Sequence, residues 1–275
     1  MADYRLIAFD LDGTILTNDK HLTSRTVTAL QRAADAGAVL VPVTGRPFSG
    51  IPEEVLAVRG IRCAITSNGA VTTDPETGKV LRNVCVDRET AAQIVRLPME
   101  RGLIHSVFIG GLGYSEPPFS AIERRFFKST EHEVYIRKSR RTADDLLDWI
   151  RTAPVEPENI WMIVRSAEEQ EELDAFIRKS WPVKTILTGK SDIEIGNPEA
   201  DKGLAVTALA EQLGIAQEQV LAFGDNSNDL SMLRAAGTGV AMANGTAEAK
   251  AAADLVTESN EADGVARAIE RLLNL

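Results

Sequence analysis

The feature that most constrains this chain is the stretch Phe9-Asp10-Leu11-Asp12-Gly13-Thr14, which follows Leu6-Ile7-Ala8. A short apolar run broken by glycine reads as a buried strand ending in a turn. Two carboxylates two residues apart at a strand mouth are costly: at ~4 Å and an effective dielectric near 20 they repel by about 4 kcal/mol. Such a pair is relieved by a cation or by one member keeping its proton. Magnesium would neutralise it, and a protonated second aspartate could act as a general acid. The plainer alternative is a strand-end Asp followed by an Asp-Gly turn.

At 275 residues the chain suits two modest domains better than one large one. Its composition, 44% hydrophobic and 25% charged, is that of a folded globular protein. A formal net charge of −10 argues against nucleic acid or an anionic membrane surface as partner. An anionic substrate would then need a metal or a local Lys/Arg cluster to receive it. Cys63 and Cys85 each lie in an apolar run, which suits buried thiols in a reducing cytoplasm better than a disulfide. Asp3 and Arg5 interrupt the N-terminus, so no signal peptide is expected, and no apolar stretch approaches the ~20 residues of a membrane helix. The sequon Asn244-Gly245-Thr246 carries no meaning in a cytoplasmic protein.

The spacing predicts an alternating β-α-β-α-β opening: a helix capped by Thr23, a strand over 38–43, a helix with Pro47 near its first turn, and a strand over 63–66. Segments 70–73 and 79–84 flank a hairpin signal at Asp74-Pro75-Glu76-Thr77-Gly78. Residues 86–194 then read as an inserted α+β domain. In it, Pro98 should kink or shorten a helix capped by Asp87, Gly110-Gly111-Leu112-Gly113 reads as a turn or mobile loop, and 142–151 looks helical. The βα rhythm returns at Asp201-Lys202-Gly203, continues through a strand at 220–223 into Gly224-Asp225-Asn226-Ser227-Asn228-Asp229, and ends in a terminal helix. The expected fold class is therefore α/β, a Rossmann-like parallel-sheet core (1–85 and 195–275) with an inserted α+β cap (86–194).

In an open parallel sheet, functional groups gather outside the carboxyl ends of the strands. Asp10 and Asp12, Thr44-Gly45-Arg46, Ser67-Asn68-Gly69, and Asp225 to Asp229 each follow a predicted strand, and Lys202 opens a helix. This inventory suits phosphoryl chemistry. Asp10 and Asp225 offer the carboxylates of an oxygen-ligated magnesium. Thr44, the Gly45 amide, Lys202 and Asn228 offer donors to a phosphate's oxygens. An aspartate can attack phosphorus, and a second one two residues on can protonate the leaving alkoxide and then activate water.

Asp10-Leu11-Asp12-Gly13-Thr14, Thr44, Lys202 and Gly224 to Asp229 resemble, in order, the four motifs of the haloacid dehalogenase-like (HAD) phosphatases. The insertion resembles the C2 cap of the Cof-type subfamily. Ser67-Asn68-Gly69-Ala70 and Asp263-Gly264-Val265-Ala266 add to the likeness. The resemblance implies a cytoplasmic, Mg2+-dependent phosphatase acting on a small phosphorylated metabolite through an aspartyl-phosphate. It implies that Asp10 is nucleophile and metal ligand, and that Asp12 is general acid/base and gives the metal its backbone carbonyl. Asp225 would bind the metal with Asp229 in support, while Thr44 and Lys202 hold the phosphoryl group. Leu11, Gly45, Arg46, Asn68 and Asn228 complete the expected phosphate and substrate contacts. One departure is the acidic turn before the lysine, where Asp201 could temper its charge.

Other readings stand beside these. Arg46 could instead pair with a surface carboxylate, and Asn68 could simply tolerate the left-handed conformation before Gly69. His21, His105 and His132 lack metal-like spacing, and Trp149, Trp161 and Trp181 read as cap core. A phosphomutase, or a phosphate-binding module without turnover, are the alternative functions. Asp12 speaks against the module, since a mere phosphoacceptor needs no acid there. The segment from Gly110 to Ser120 is a candidate specificity loop. Sugar phosphates, flavin or pyridoxal phosphates and phosphoglycolate-like acids are all candidates as substrates.

Overall fold

A computed structural model describes residues 3–117, 130–189 and 191–274, the side chains of 130–133 excepted. Pro118 to Ser120 of the expected specificity loop, and the His132 side chain, fall outside the described residues. The chain divides into two compact units, Met1–Gly45, Ile51–Arg82 and Asp201–Leu275 forming one, and Arg46–Gly50 with Asn83–Ala200 the other. The second unit thus takes in Arg46–Gly50 as well as the insertion, and the crossings fall at Asn83 and Ala200 where 86 and 194 were expected.

The first unit opens with β1 (Leu6–Phe9), every residue of which is fully buried, as a strand covered on both faces requires. Thr23 accepts the Thr26 N–H and so starts the helix Ser24–Asp35, which leads to β2 (Val39–Pro42). The helix expected from Pro47 is broken up into a 3-10 turn, Phe48–Gly50, and a single helical turn, Glu53–Leu56. Pro52 explains the break: it brings no N–H to an upstream carbonyl and disfavours helical backbone at Ile51. β3 (Ala64–Thr66) continues beside β2 through a parallel bridge between Val43 and Ile65. It then turns over Ser67–Gly69 into antiparallel β4 (Val71–Thr73), which neighbours β5 (Val80–Asn83).

The inserted unit holds β6 (Ile104–Ile109), β7 (Leu112–Ser115), β8 (Arg140–Thr142), β9 (Pro157–Ile163), β10 (Lys184–Thr188) and β11 (Asp192–Gly196), in the sheet order β10-β11-β9-β6-β7-β8. Helices Arg88–Arg101, Leu146–Thr152 and Ala167–Ser180 send Ile94, Ile150 and Leu173 into one apolar cluster with Val107, Ile160 and Ile193 of the sheet. Trp149 and Trp181 pack against that cluster as expected, and Trp161 donates its indole N–H to Asp192. Two of three expectations need correction. Pro98 lies inside a helix that runs on to Arg101 without shortening, and burial of its ring offsets the backbone hydrogen bond that its missing N–H forgoes. The glycine cluster takes the first of its two readings, a turn: Gly110 and Gly111 (φ +59° and +78°) make the two-residue turn of the β6–β7 hairpin, which requires positive φ at both central positions. Thr142 ends a strand, and the helix begins later, where Asp145 accepts the Asp148 N–H.

The chain returns to the first unit with the helix Lys202–Gln212, β12 (Val220–Gly224), β13 (Thr238–Ala241) and β14 (Leu255–Val256), and ends in the helix Gly264–Leu273. The five-stranded sheet runs β14-β13-β12-β1-β2, with every pairing parallel. From β1 the chain builds outward through β2, and from β12 outward the opposite way through β13 and β14. The order reverses between β1 and β12, which is where an open α/β sheet leaves a crevice for ligands.

Candidate active site

Asp10 and Asp225 follow the two strands that flank this reversal, and the Asp10 N–H donates to the Phe223 carbonyl at 3.0 Å. The turn after Asp10 presses against Asp225. Gly13 has φ +82°, and a Cβ there would come within 2.5 Å of the Asp225 carboxylate. Thr14 donates its hydroxyl to the same carboxylate at 2.9 Å.

Lys202 reaches this edge from the first residue of its helix, because Asp201 caps the helix by accepting the Gly203 and Leu204 N–H groups. Asp201, whose charge could also temper Lys202, is thus the residue that starts the Lys202 helix. The Lys202 ammonium, 1% exposed, donates to Asp10 at 2.7 Å and to Asp229 at 2.6 Å. The other Asp229 oxygen accepts the Asp225 and Asn226 N–H groups at 2.9 and 3.0 Å, which fixes the loop that presents Asp225. One ammonium thus meets an edge holding three carboxylates, those of Asp10, Asp225 and Asp229, whose ligand oxygens all lie within 4.8 Å of one another.

The electrostatics follow from that excess. Burial, with the neighbouring carboxylates, pushes the Asp10 carboxyl well above its ordinary range despite the pull of Lys202. Burial and the Asp229 charge raise Asp225 to about 6, and the Thr14 hydrogen bond offsets part of the rise. Burial alone would lower the Lys202 ammonium, but Asp10 and Asp229 outweigh it and hold it above its ordinary value. The lysine stays charged, and the surplus negative charge calls for protons or a second cation. A donor set made only of carboxylates fits a hard divalent ion such as magnesium.

The remaining predicted residues are spread more widely. Thr44 is buried after β2, where its N–H donates to the Ile65 carbonyl. Asn68, in the left-handed region at φ 56°, accepts the Asn228 amide N–H at 3.0 Å, and a Cβ on Gly45 would approach the same Asn68 oxygen to 3.0 Å. Gly45, Asn68 and Asn228 therefore form one polar corner. The Leu11 side chain is fully buried, so that position offers only backbone, and its carbonyl accepts the Leu16 N–H. The Asp12 carboxylate stands outside the three-carboxylate group and pairs with Lys20 at 2.8 Å. Arg46 belongs to the second unit, where it donates to the Gly50 carbonyl and lies 4.5 Å from the Tyr135 ring centroid.

Three residues were not singled out from the sequence. Thr14 lies within the opening motif and needed only the observation that a hydroxyl follows the glycine. Lys20 and Asn244, whose amide donates to the Gly13 carbonyl, sit in loops with no local signal.

Fold and site together define an α/β enzyme working with carboxylates and a buried lysine at a sheet reversal. Residues 7–269 match the family described as haloacid dehalogenase-like hydrolase, and the chain belongs to that family. It is 30% identical to phosphatase YwpJ of Bacillus subtilis over 98% of this chain and 100% of that protein. Against the pyridoxal phosphate phosphatase YbhA of Escherichia coli the identity is 30%, over 96% of this chain and 97% of the relative. A solved haloacid dehalogenase-like hydrolase from B. subtilis superposes with a TM-score of 0.86 at 28% identity, covering 98% of this chain and 99% of that one.

Proposed function

We propose that this hydrolase is a magnesium-dependent phosphatase that cleaves a small phosphorylated metabolite through an aspartyl-phosphate. The observation that carries the reading is the buried contact of Lys202 with Asp10 and Asp229, residues 192 and 27 positions away along the chain. A lysine held at that point orients the Asp10 carboxylate and offers charge to a phosphoryl oxygen beside it. Asp10 and Asp225 would hold the magnesium ion together with the Asp12 backbone carbonyl, and Asp229 would fix the Asp225 loop. When bound, the ion would neutralise the carboxylates and the incoming phosphate's charge.

Asp10 attacks phosphorus, the ester P–O bond breaks, and Asp12 gives its proton to the leaving alkoxide. Asp12 then takes a proton from water as that water attacks the acyl phosphate. The bond to Asp10 breaks, and inorganic phosphate leaves with the carboxylate restored. Thr44, the Gly45 and Leu11 backbone, Asn68 and Asn228 are assigned to the phosphoryl oxygens. The substrate class is a metabolite phosphate monoester of the kind represented by sugar phosphates or pyridoxal phosphate.

Among the described residues no helix is long and apolar enough to cross a membrane. Both cysteines are free thiols, which supports a reducing, cytoplasmic setting. The test is release of inorganic phosphate from a generic aryl phosphate with magnesium and with chelator. We expect release with the metal and its loss on chelation; failure to release phosphate under both conditions would overturn the reading.

A further inference from the structure

Arg140 of the inserted unit is a buried cation that the phosphatase reading leaves unused. It pairs across the sheet in register: Phe108 of β6 faces Gly113 of β7, and Gly113 faces Arg140 of β8. Because Gly113 has no side chain, the arginine stem lies directly across it. A Cβ there would meet Arg140 Nε at 2.7 Å. The guanidinium thereby reaches over β7 to sit 4.6 Å from the Phe108 ring centroid and 5.6 Å from that of Tyr135. Tyr135 carries Arg46 at 4.5 Å, so two guanidinium groups share one aromatic ring.

Among the described residues the charge of Arg140 is not answered. The residue is 8% exposed, and among the described residues no carboxylate lies within ion-pair distance. Its hydrogen bonds run only from Nη1, to the Ser139 hydroxyl at 3.0 Å and carbonyl at 3.4 Å. A guanidinium carries five N–H donors on three nitrogens. Contacts with aromatic faces contribute ~0.5–2 kcal/mol each, against a desolvation penalty of several kcal/mol for a buried ion. A second observation points to the same place. The Ser106 hydroxyl is sealed from solvent with no hydrogen-bond partner, and it lies 2.9 Å from the same Gly113 Cβ position that Arg140 Nε approaches. Leaving a buried hydroxyl unpaired is itself costly.

We propose that Arg140 and Ser106 form an oxyanion-binding site in the inserted unit. The ligand is a carboxylate or phosphate group, which a planar guanidinium takes through paired N–H donors. That group belongs to a free anionic metabolite.

The test titrates succinate into thermal melts of wild type, Arg140→Met and Arg140→Lys. Succinate should raise the wild-type melting temperature, leave that of Arg140→Met unmoved, and raise that of Arg140→Lys by part of the wild-type shift. No response in wild type, or an equal one in Arg140→Met, would overturn the proposal. Should the Met variant fail to fold, the Lys variant together with the wild-type succinate response decides the matter in the same way.

Discussion

Lys202 in the first unit and Arg140 in the inserted unit are both buried cations, and the two are held in opposite surroundings. Lys202 touches two carboxylates at hydrogen-bond distance, with a third nearby. Arg140 touches two aromatic rings, a serine hydroxyl and a carbonyl. Desolvating either side chain costs several kcal/mol. In the first case the partners overcompensate, leaving net negative charge that asks for a divalent cation. In the second they undercompensate, leaving positive charge that asks for an anion. Burial alone therefore says nothing of a cation's role; the sign of what remains after its partners are counted does.

The comparison is easiest to break at the carboxylate that Lys202 orients. Asp10→Asn keeps the shape and a hydrogen-bond acceptor but removes the proposed nucleophile. Phosphate release should fall by a factor on the order of 10^4 or more in kcat, read from steady-state assays with magnesium present. Retention of activity within tenfold would take Asp10 out of the chemistry.

Next in size is Lys202→Met. Removing the ammonium leaves Asp10 and Asp229 buried without their cation, so the chelated protein should lose about 3–5 kcal/mol of stability in urea unfolding. Magnesium should restore part of it. A neutral effect would mean that the carboxylates are already protonated together and that Lys202 is not what holds them.

How much of this was legible beforehand depended on the range of the physics involved. The motif positions followed from strand-end logic: Asp10 and Asp225 lie side by side because β1 and β12 pair in register, Phe9 opposite Phe223. Each strand and its following loop could be read locally. The pairing of Asp12 with Lys20 could not, since Lys20 enters through a left-handed loop conformation (φ 66°) that its own sequence does not announce. The placement of Arg46 was equally hidden. Its proximity to Thr44 in the chain suggested a shared task, but its stacking partner, Tyr135, comes from a helix, Thr130–Ser139, with no marked apolar periodicity. Glycine clusters were ambiguous for a related reason. Gly110-Gly111 reads alike as a loose loop or a tight hairpin until the flanking strands are known to pair.

The charge surplus at the catalytic edge also has a pH signature. Without a metal, Asp225 is raised to about 6 from an ordinary value of 3.8. A carboxyl raised on folding favours the folded state below its unfolded value, and that contribution is lost as pH climbs through about 4 to 6. A shift of about two units corresponds to at most about 3 kcal/mol, and to less for a carboxylate that is only partly buried. The chelated protein should therefore melt at a lower temperature at pH 7.5 than at pH 5, with Asp10, raised in the same direction, adding to the slope. Magnesium binds the ionised form, so the rise in melting temperature that it produces should grow across the same window. A metal response of equal size at pH 5 and 7.5 would show that these carboxylates do not form its site.

The smallest expected effect sharpens the comparison most. Arg140→Met keeps an unbranched stem to lie across Gly113 and under Phe108, and it removes a charge that no carboxylate answers among the described residues. Replacing an uncompensated buried ion by an apolar group of similar length is neutral or stabilising, because the desolvation cost goes with it. Urea unfolding without added anions should place this variant within about 1 kcal/mol of wild type, against the several lost in Lys202→Met. A loss of 3–5 kcal/mol instead would mean that the guanidinium serves the fold through its ring and Ser139 contacts. Arg140 and Lys202 would then be alike as structural cations, and the contrast between the two units would disappear.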